Sequence, residues 1–180
     1  MTLKSLIIKC SRLLATPLRR RQQRRYADNE TTGMPRLELP NDKLLPLVCE
    51  AVARGERAII SVKGYSMRPF LEHLRDRVLL APWTDLAVGD AVLAEIAPGH
   101  FVLHRIIRRQ GDELTLMGDG NIRGTEACRV TDVCGVVEKY IRPGGHELLA
   151  SDPALRRRIR LWRRLLPVRR LLLFVYKLTV

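Results

Sequence analysis

The chain has 180 residues, 46% of them hydrophobic, and a formal net charge of +13 at pH 7, a size that fits one domain with tails rather than several domains. The charge is uneven: residues 1–33 hold 8 Lys/Arg against 2 Asp/Glu, residues 151–180 hold 9 against 1, and the stretch between them holds 15 against 16. A near-neutral centre excludes nucleic-acid binding as a property of the domain itself, so any anionic surface is met by the two ends.

In chain order, residues 1–33 form a basic arm. Lys9 and Arg12 interrupt every apolar run, so no secretory signal is expected. Leu6, Ile7, Leu13 and Leu14 line one face of a basic amphipathic helix that suits an anionic membrane surface. The polar stretch from Gln22 to Gly33 favours a disordered arm instead, or translation that starts at Met34.

Residues 34–150 read as the domain. Asn41 or Asp42 caps a helix through Leu44, Leu47, Val48, Ala51 and Val52, closed by Gly55. Strands follow at 58–62, 77–81, 91–96, 101–107 and 114–117, and a last one runs from Asp132-Val133 to Tyr140. Short strands at regular intervals, separated by turn signals, predict a mostly β fold, a small barrel or sandwich. Cys10, Cys49, Cys128 and Cys134 form no C-x-x-C pair and no histidine sits beside a cysteine pair, so neither a metal site nor a cofactor is expected. The cysteines read as small buried residues of a reducing, cytoplasmic compartment, with a Cys128–Cys134 bridge as the alternative.

Residues 151–180 have a helical pattern. Leu155, Ile159, Trp162 and Leu166 share one face, arginines cover much of the rest, and Pro167 breaks the run before Val168, Leu171, Leu172, Val175 and Leu178. The longest apolar run, Leu171 to Tyr176, falls far short of the roughly 20 residues a spanning helix needs. This tail either packs on the domain or lies on an anionic membrane or partner.

Three residues carry a candidate chemistry. Strand 58–62 runs into Gly64, with Ser66 two residues on, then Met67 and Pro69. His104 lies inside the apolar strand 101–107, and Asp119 lies in the turn Gly118-Asp119-Gly120-Asn121. A nucleophile, a base and an orienting carboxylate are the parts of a serine hydrolase. Each also has a plain structural reading: a loop serine, a core histidine bonded to a carbonyl, and a turn-capping carboxylate. Asp90 reads as a turn residue, Lys63 as a solvated side chain, and His73, His100 and His146 as solvated loop residues.

Gly64-x-Ser66-Met67-x-Pro69, Gly89-Asp90-Ala91-Val92-Leu93, His104-Arg105-Ile106 and Gly118-Asp119-Gly120-Asn121, in that order, resemble the superfamily of signal peptidases and LexA-type self-cleaving repressors, over roughly residues 56 to 138. The histidine in place of a lysine base is similar to the archaeal and endoplasmic-reticulum signal peptidases, which carry a membrane anchor this sequence does not display. The resemblance implies a small β barrel and a serine endopeptidase with Ser66 as nucleophile, His104 as base and Asp119 as orienter. It also implies an oxyanion site at Ser66 and Met67, and an extended precursor or leader peptide as substrate. An acidic residue about six positions beyond Asp119 matters in the histidine-type enzymes; position 125 is threonine here and Glu126 follows. The alternative is a non-catalytic peptide- or membrane-surface-binding protein on the same scaffold. Oligomeric state is not legible.

Overall fold

In the computed structural model, which describes residues 40–178, helix α1 (Asn41–Ala53) is entered through Pro40. The Pro40 carbonyl accepts the N–H groups of Lys43 and Leu44 at 3.0 and 2.9 Å, so Pro40 holds the cap position in place of Asn41 or Asp42. Asn41 instead uses its side chain to accept a hydrogen bond from Lys63 Nζ. The helix stops where the sequence says it should. Gly55, at φ +90°, donates to Val52 O and Glu56 donates to Ala51 O, an exit that a side chain at Gly55 would strain. The basic arm over residues 1–33 lies outside the described residues.

Eight strands follow: β1 (Ala58–Ser61), β2 (Arg77–Ala81), β3 (Ala91–Ala97), β4 (His100–Gln110), β5 (Glu113–Met117), β6 (Glu126–Arg129), β7 (Val133–Ile141) and β8 (Glu147–Leu149). All pairs are antiparallel, in the order β1-β2-β7-β3-β4-β5-β6, with β8 on β7. Among the described residues β1 and β6 are edges, and no pairing joins them. Six strands stand where alternation predicts them. The four-residue β6 and three-residue β8 were not expected, because so short a strand shows too few residues to display a period of two.

The sheet has an apolar cluster on each side. One holds Ile60, Leu71, Leu80, Leu93 and Tyr140 with Val48 and Val52 of α1. The other holds Val92, Ile106, Leu114, Leu116 and Cys128. The cysteine expectation needs correcting. Cys49 of α1 and Cys134 of β7 form a disulfide, Cα atoms 4.9 Å apart across 85 residues of sequence, a separation that gives no spacing signal. Such a bridge persists where thiols are not kept reduced. Cys128 is free and buried, and desolvation, aided by Asp132, pushes its thiol up to about 11.

The tail forms α2 (Pro153–Arg164), a single 3-10 turn around Pro167, and α3 (Arg169–Lys177). Asp152 caps α2 by accepting the N–H of Leu155 at 2.7 Å. Of the two readings of the tail, packing is what the fold displays. Leu155, Ile159 and Trp162 of α2 and Leu173 of α3 are buried in the first cluster, and Tyr176 of α3 is buried as well. Trp162 Nε1 donates to Asp119 O at 2.7 Å, and Tyr176 OH donates to Glu72 Oε1 at 2.7 Å. No described helix is long and apolar enough to cross a membrane.

Two outcomes follow for the tail. Trp162→Ala removes a side chain that is 1% exposed and should cost about 3–5 kcal/mol in urea unfolding. Burial and the Glu72 carboxylate hold the Tyr176 hydroxyl well above its usual pKa. A raised value means the contact contributes fully below the unfolded value of about 10 and is lost as pH rises beyond it. Urea midpoints should therefore fall above that pH, and Tyr176→Phe should flatten the fall.

Candidate functional site

The loop after β1 is closed at its neck by Val62, whose N–H donates to Asp76 O at 3.0 Å and whose carbonyl accepts from Leu74 N at 2.7 Å. Inside it, Gly64 takes φ +94° and gives its N–H to His73 Nδ1 at 2.8 Å. His73 is therefore half-buried and structural, not a solvated side chain. Met67, Pro69, Phe70 and Leu71 turn into the core, and Met67 O accepts the N–H groups of Phe70 and Leu71. Two buried carboxylates hold the far side. Asp76 accepts from Arg75 Nε and Nη2 at 2.9 Å, from Arg142 Nη1 and from the Glu72 N–H; Glu72 accepts from Arg68 at 2.8 and 3.0 Å. Ser66 is left half-buried, between exposed Tyr65 and buried Met67.

The turn Gly118–Asn121 backs directly onto this loop. Gly120 N–H donates to Ser66 O at 2.6 Å. A methyl group on Gly118 would lie 2.5 Å from Ser66 O and 3.0 Å from Ser66 Cβ, and one on Gly120 would lie 2.7 Å from Tyr65 O. Glycine is required at both places by the approach of the backbones.

Strand register decides which side chains share a side of the sheet with the Gly118 position. Arg105 pairs with Met117 and Ile106 with Leu116, so His104 and Gly118 stand opposite each other one step beyond the ladder. Facing residues project to the same side of an antiparallel pair, with Cβ atoms about 4.5–5.5 Å apart. Ser66 Cβ sits against the Cβ position that Gly118 leaves empty, on the imidazole's side of the sheet. Leu116 pairs with Glu126 of β6, which brings that carboxylate to the same side. There Glu126 Oε2 lies 2.8 Å from His104 Nδ1.

Asp119 is one residue from Gly118 and so projects to the other side, where Arg105 also points. Arg105 Nε donates to its two oxygens at 2.8 and 3.1 Å, and Nη2 donates as well; both residues are buried. Asp119 thus is not the orienter of His104. The alternation of side chains sends it to the arginine, and Glu126 holds the imidazole. Burial works against the Arg105 charge, but Asp119 and Tyr140 outweigh it and raise its pKa. Arg105 Nη1 also donates to Gly89 O at 2.8 Å.

With Nδ1 on a carboxylate, the His104 Nε2 lone pair is the one left to accept a proton. His104 is 6% exposed. Among the described residues, the Ser66 hydroxyl and the Ser66 and Met67 N–H groups have no hydrogen-bond partner. That leaves one hydroxyl, one imidazole nitrogen and two backbone N–H groups without a partner in this part of the fold. Met67 contributes only its backbone, its side chain being core. Lys63 points away, to Asn41. Asp90 is a turn residue, accepting from Ala87 N and from Arg156. His100 and His146 are exposed. No group of three or more His, Cys, Asp or Glu among the described residues suits a metal ion. Sequence reasoning missed the role of Arg105 altogether; the signal was a charge inside an apolar strand beside His104.

No protein-family model matches this chain, and no curated protein matches it.

The two carboxylates should behave oppositely on substitution. Asp119→Asn leaves the Arg105 charge buried without its partner and should cost about 3–5 kcal/mol of stability. Glu126→Gln, at a partly exposed edge-strand position, should change the urea midpoint little. Gly118→Ala should cost roughly 1–3 kcal/mol, because the added methyl meets backbone that has nowhere to move.

Proposed function

We propose that the protein is a serine endopeptidase of the signal-peptidase-like, histidine-base kind, with Ser66 as nucleophile, His104 as general base and Glu126 as the carboxylate that orients it. The observation that carries this reading is the arrangement over Gly118. The serine Cβ lies against Gly118, on the side of the sheet that carries the imidazole and the Glu126 carboxylate.

In this mechanism His104 Nε2 takes the Ser66 proton as Oγ attacks the scissile carbonyl, and Glu126 stabilises the imidazolium. The Ser66 N–H, with Met67 N–H beside it, donates to the carbonyl oxygen as it becomes an oxyanion; losing one such donor typically costs about 3 kcal/mol. His104 returns the proton to the leaving amine, and water then hydrolyses the acyl ester with the same base.

The substrate fits as an extended peptide added to β1, which among the described residues pairs only with β2. Val62 turns both backbone groups inward, so by alternation Ile59, Ser61 and Lys63 turn theirs outward, in line with Ser66. A precursor or leader peptide with small residues near the cleavage point follows from the family resemblance.

A fluorophosphonate probe should label Ser66, read by peptide mass spectrometry. Ser66→Ala and His104→Ala should each lower turnover by roughly 10³-fold or more, and the double variant should be scarcely worse. Glu126→Gln should lower kcat by about 10²–10⁴, while Lys63→Ala leaves it near wild type. Absence of labelling in folded protein would favour a non-catalytic peptide-binding scaffold, and loss of turnover in Lys63→Ala with His104→Ala intact would replace the base.

A further inference from the structure

Helix α3 is apolar on two opposite faces. Leu173 and Tyr176 are buried against the domain, with Arg169. Half a turn away, Leu171, Phe174 and Leu178 are 50%, 61% and 73% exposed. Their spacing of i, i+3 and i+7 aligns them in one row along the helix. A helix on a protein surface ordinarily turns charged and polar residues outward. Here the core-facing side is already satisfied, and the outward side is a second row of large apolar side chains. Leu166 and Val168, in the turn that leads into α3, are exposed as well.

The tail that carries this row is cationic. From Pro153 to Leu178 the tail contains no Asp or Glu. Arg157, Arg158, Arg160, Arg164, Arg170 and Lys177 are exposed, and none has an ion-pair partner among the described residues. On α2 the arginines at 157, 160 and 164 point away from the buried Leu155, Ile159 and Trp162, by their 100° spacing. On α3, Arg170 and Lys177 lie along one side of the apolar row. Six unpaired cations without one acid form a surface complementary to negative charge.

We propose that the α2–α3 tail docks on an anionic lipid bilayer, with Leu171, Phe174 and Leu178 entering the headgroup–acyl boundary and the tail's exposed arginines meeting lipid phosphates. The geometry favours a bilayer over a protein groove. A groove envelops a helix on several sides, whereas α3 is held by its other face through Tyr176 and Glu72 and offers only a shallow, one-sided row. An interfacial helix needs no more than that. The proposal does not depend on peptidase activity, so the experiment is run on the full-length Ser66→Ala protein alongside wild type.

The full chain is sedimented with vesicles of phosphatidylcholine alone and of phosphatidylcholine with phosphatidylglycerol. Binding to the anionic vesicles should be at least tenfold tighter and should weaken as salt is raised. The variant Leu171→Ser/Phe174→Ser/Leu178→Ser should bind those vesicles at least tenfold more weakly with an unchanged melting temperature, since the three side chains are exposed. As a second readout that spares the row, Phe174→Trp should shift its emission to the blue on anionic vesicles. No binding to either vesicle overturns the proposal. So does binding that the serine variant leaves intact, with no shift from Trp at 174, which would assign attachment to basic segments elsewhere. Self-association in sedimentation equilibrium that disappears in the serine variant, without vesicle binding, would assign the row to a second copy of the chain and overturn it equally.

Discussion

The structure depends on a buried ion pair. Arg105 and Asp119 are 1% and 3% exposed, and removing two such charges from water costs several kcal/mol each unless every donor and acceptor is met. Here they are met. The guanidinium spends its donors on Asp119, Gly89 O and Tyr140 OH and stacks over the Phe70 ring at 5.5 Å. The Asp119 carbonyl then receives Trp162 of α2. The pair thereby fixes the turn at 118–121, the tail helix and, through Gly120, the serine loop. A neutral replacement would need to satisfy all of those contacts at once.

The serine loop is held by parts of the chain distant from it in sequence. Arg142 from the end of β7 reaches Asp76 and Phe70 O, Tyr176 from α3 reaches Glu72, and Gly120 reaches Ser66 itself. The last helix, cationic and remote in the sequence, is thus part of the support beneath residue 66. A site assembled this way is rigid because its neighbours are fixed by separate contacts.

How much of this was legible follows from the physics of each signal. Alternation and turn residues announced six strands, and Gly64 announced its turn through local pattern. The partner of His104 was not legible, because Asp119 and Glu126 are both acidic residues downstream and only the strand register says which side each takes. The disulfide was silent for a like reason: Cys49 and Cys134 are joined by a pairing 85 residues long. The tail's double-sided apolarity was visible as a count of leucines, but which face the domain would cover depended on Trp162 and Tyr176 finding polar partners.

The alternation along β4 and β5 has a further meaning. His104 and Arg105 are neighbours, as are Gly118 and Asp119, and each pair splits one residue to either side of the sheet. The candidate site and the buried ion pair are therefore written in the same two dipeptides, out of phase by a single residue. A slip of one position in the β4–β5 hairpin would set Asp119 against the imidazole and leave the guanidinium facing a glycine, with both sides spoiled together. Insertions into this hairpin can be accommodated only in ways that preserve parity, and in that sense the spacing between the two dipeptides is as much a part of the candidate site as the residues themselves.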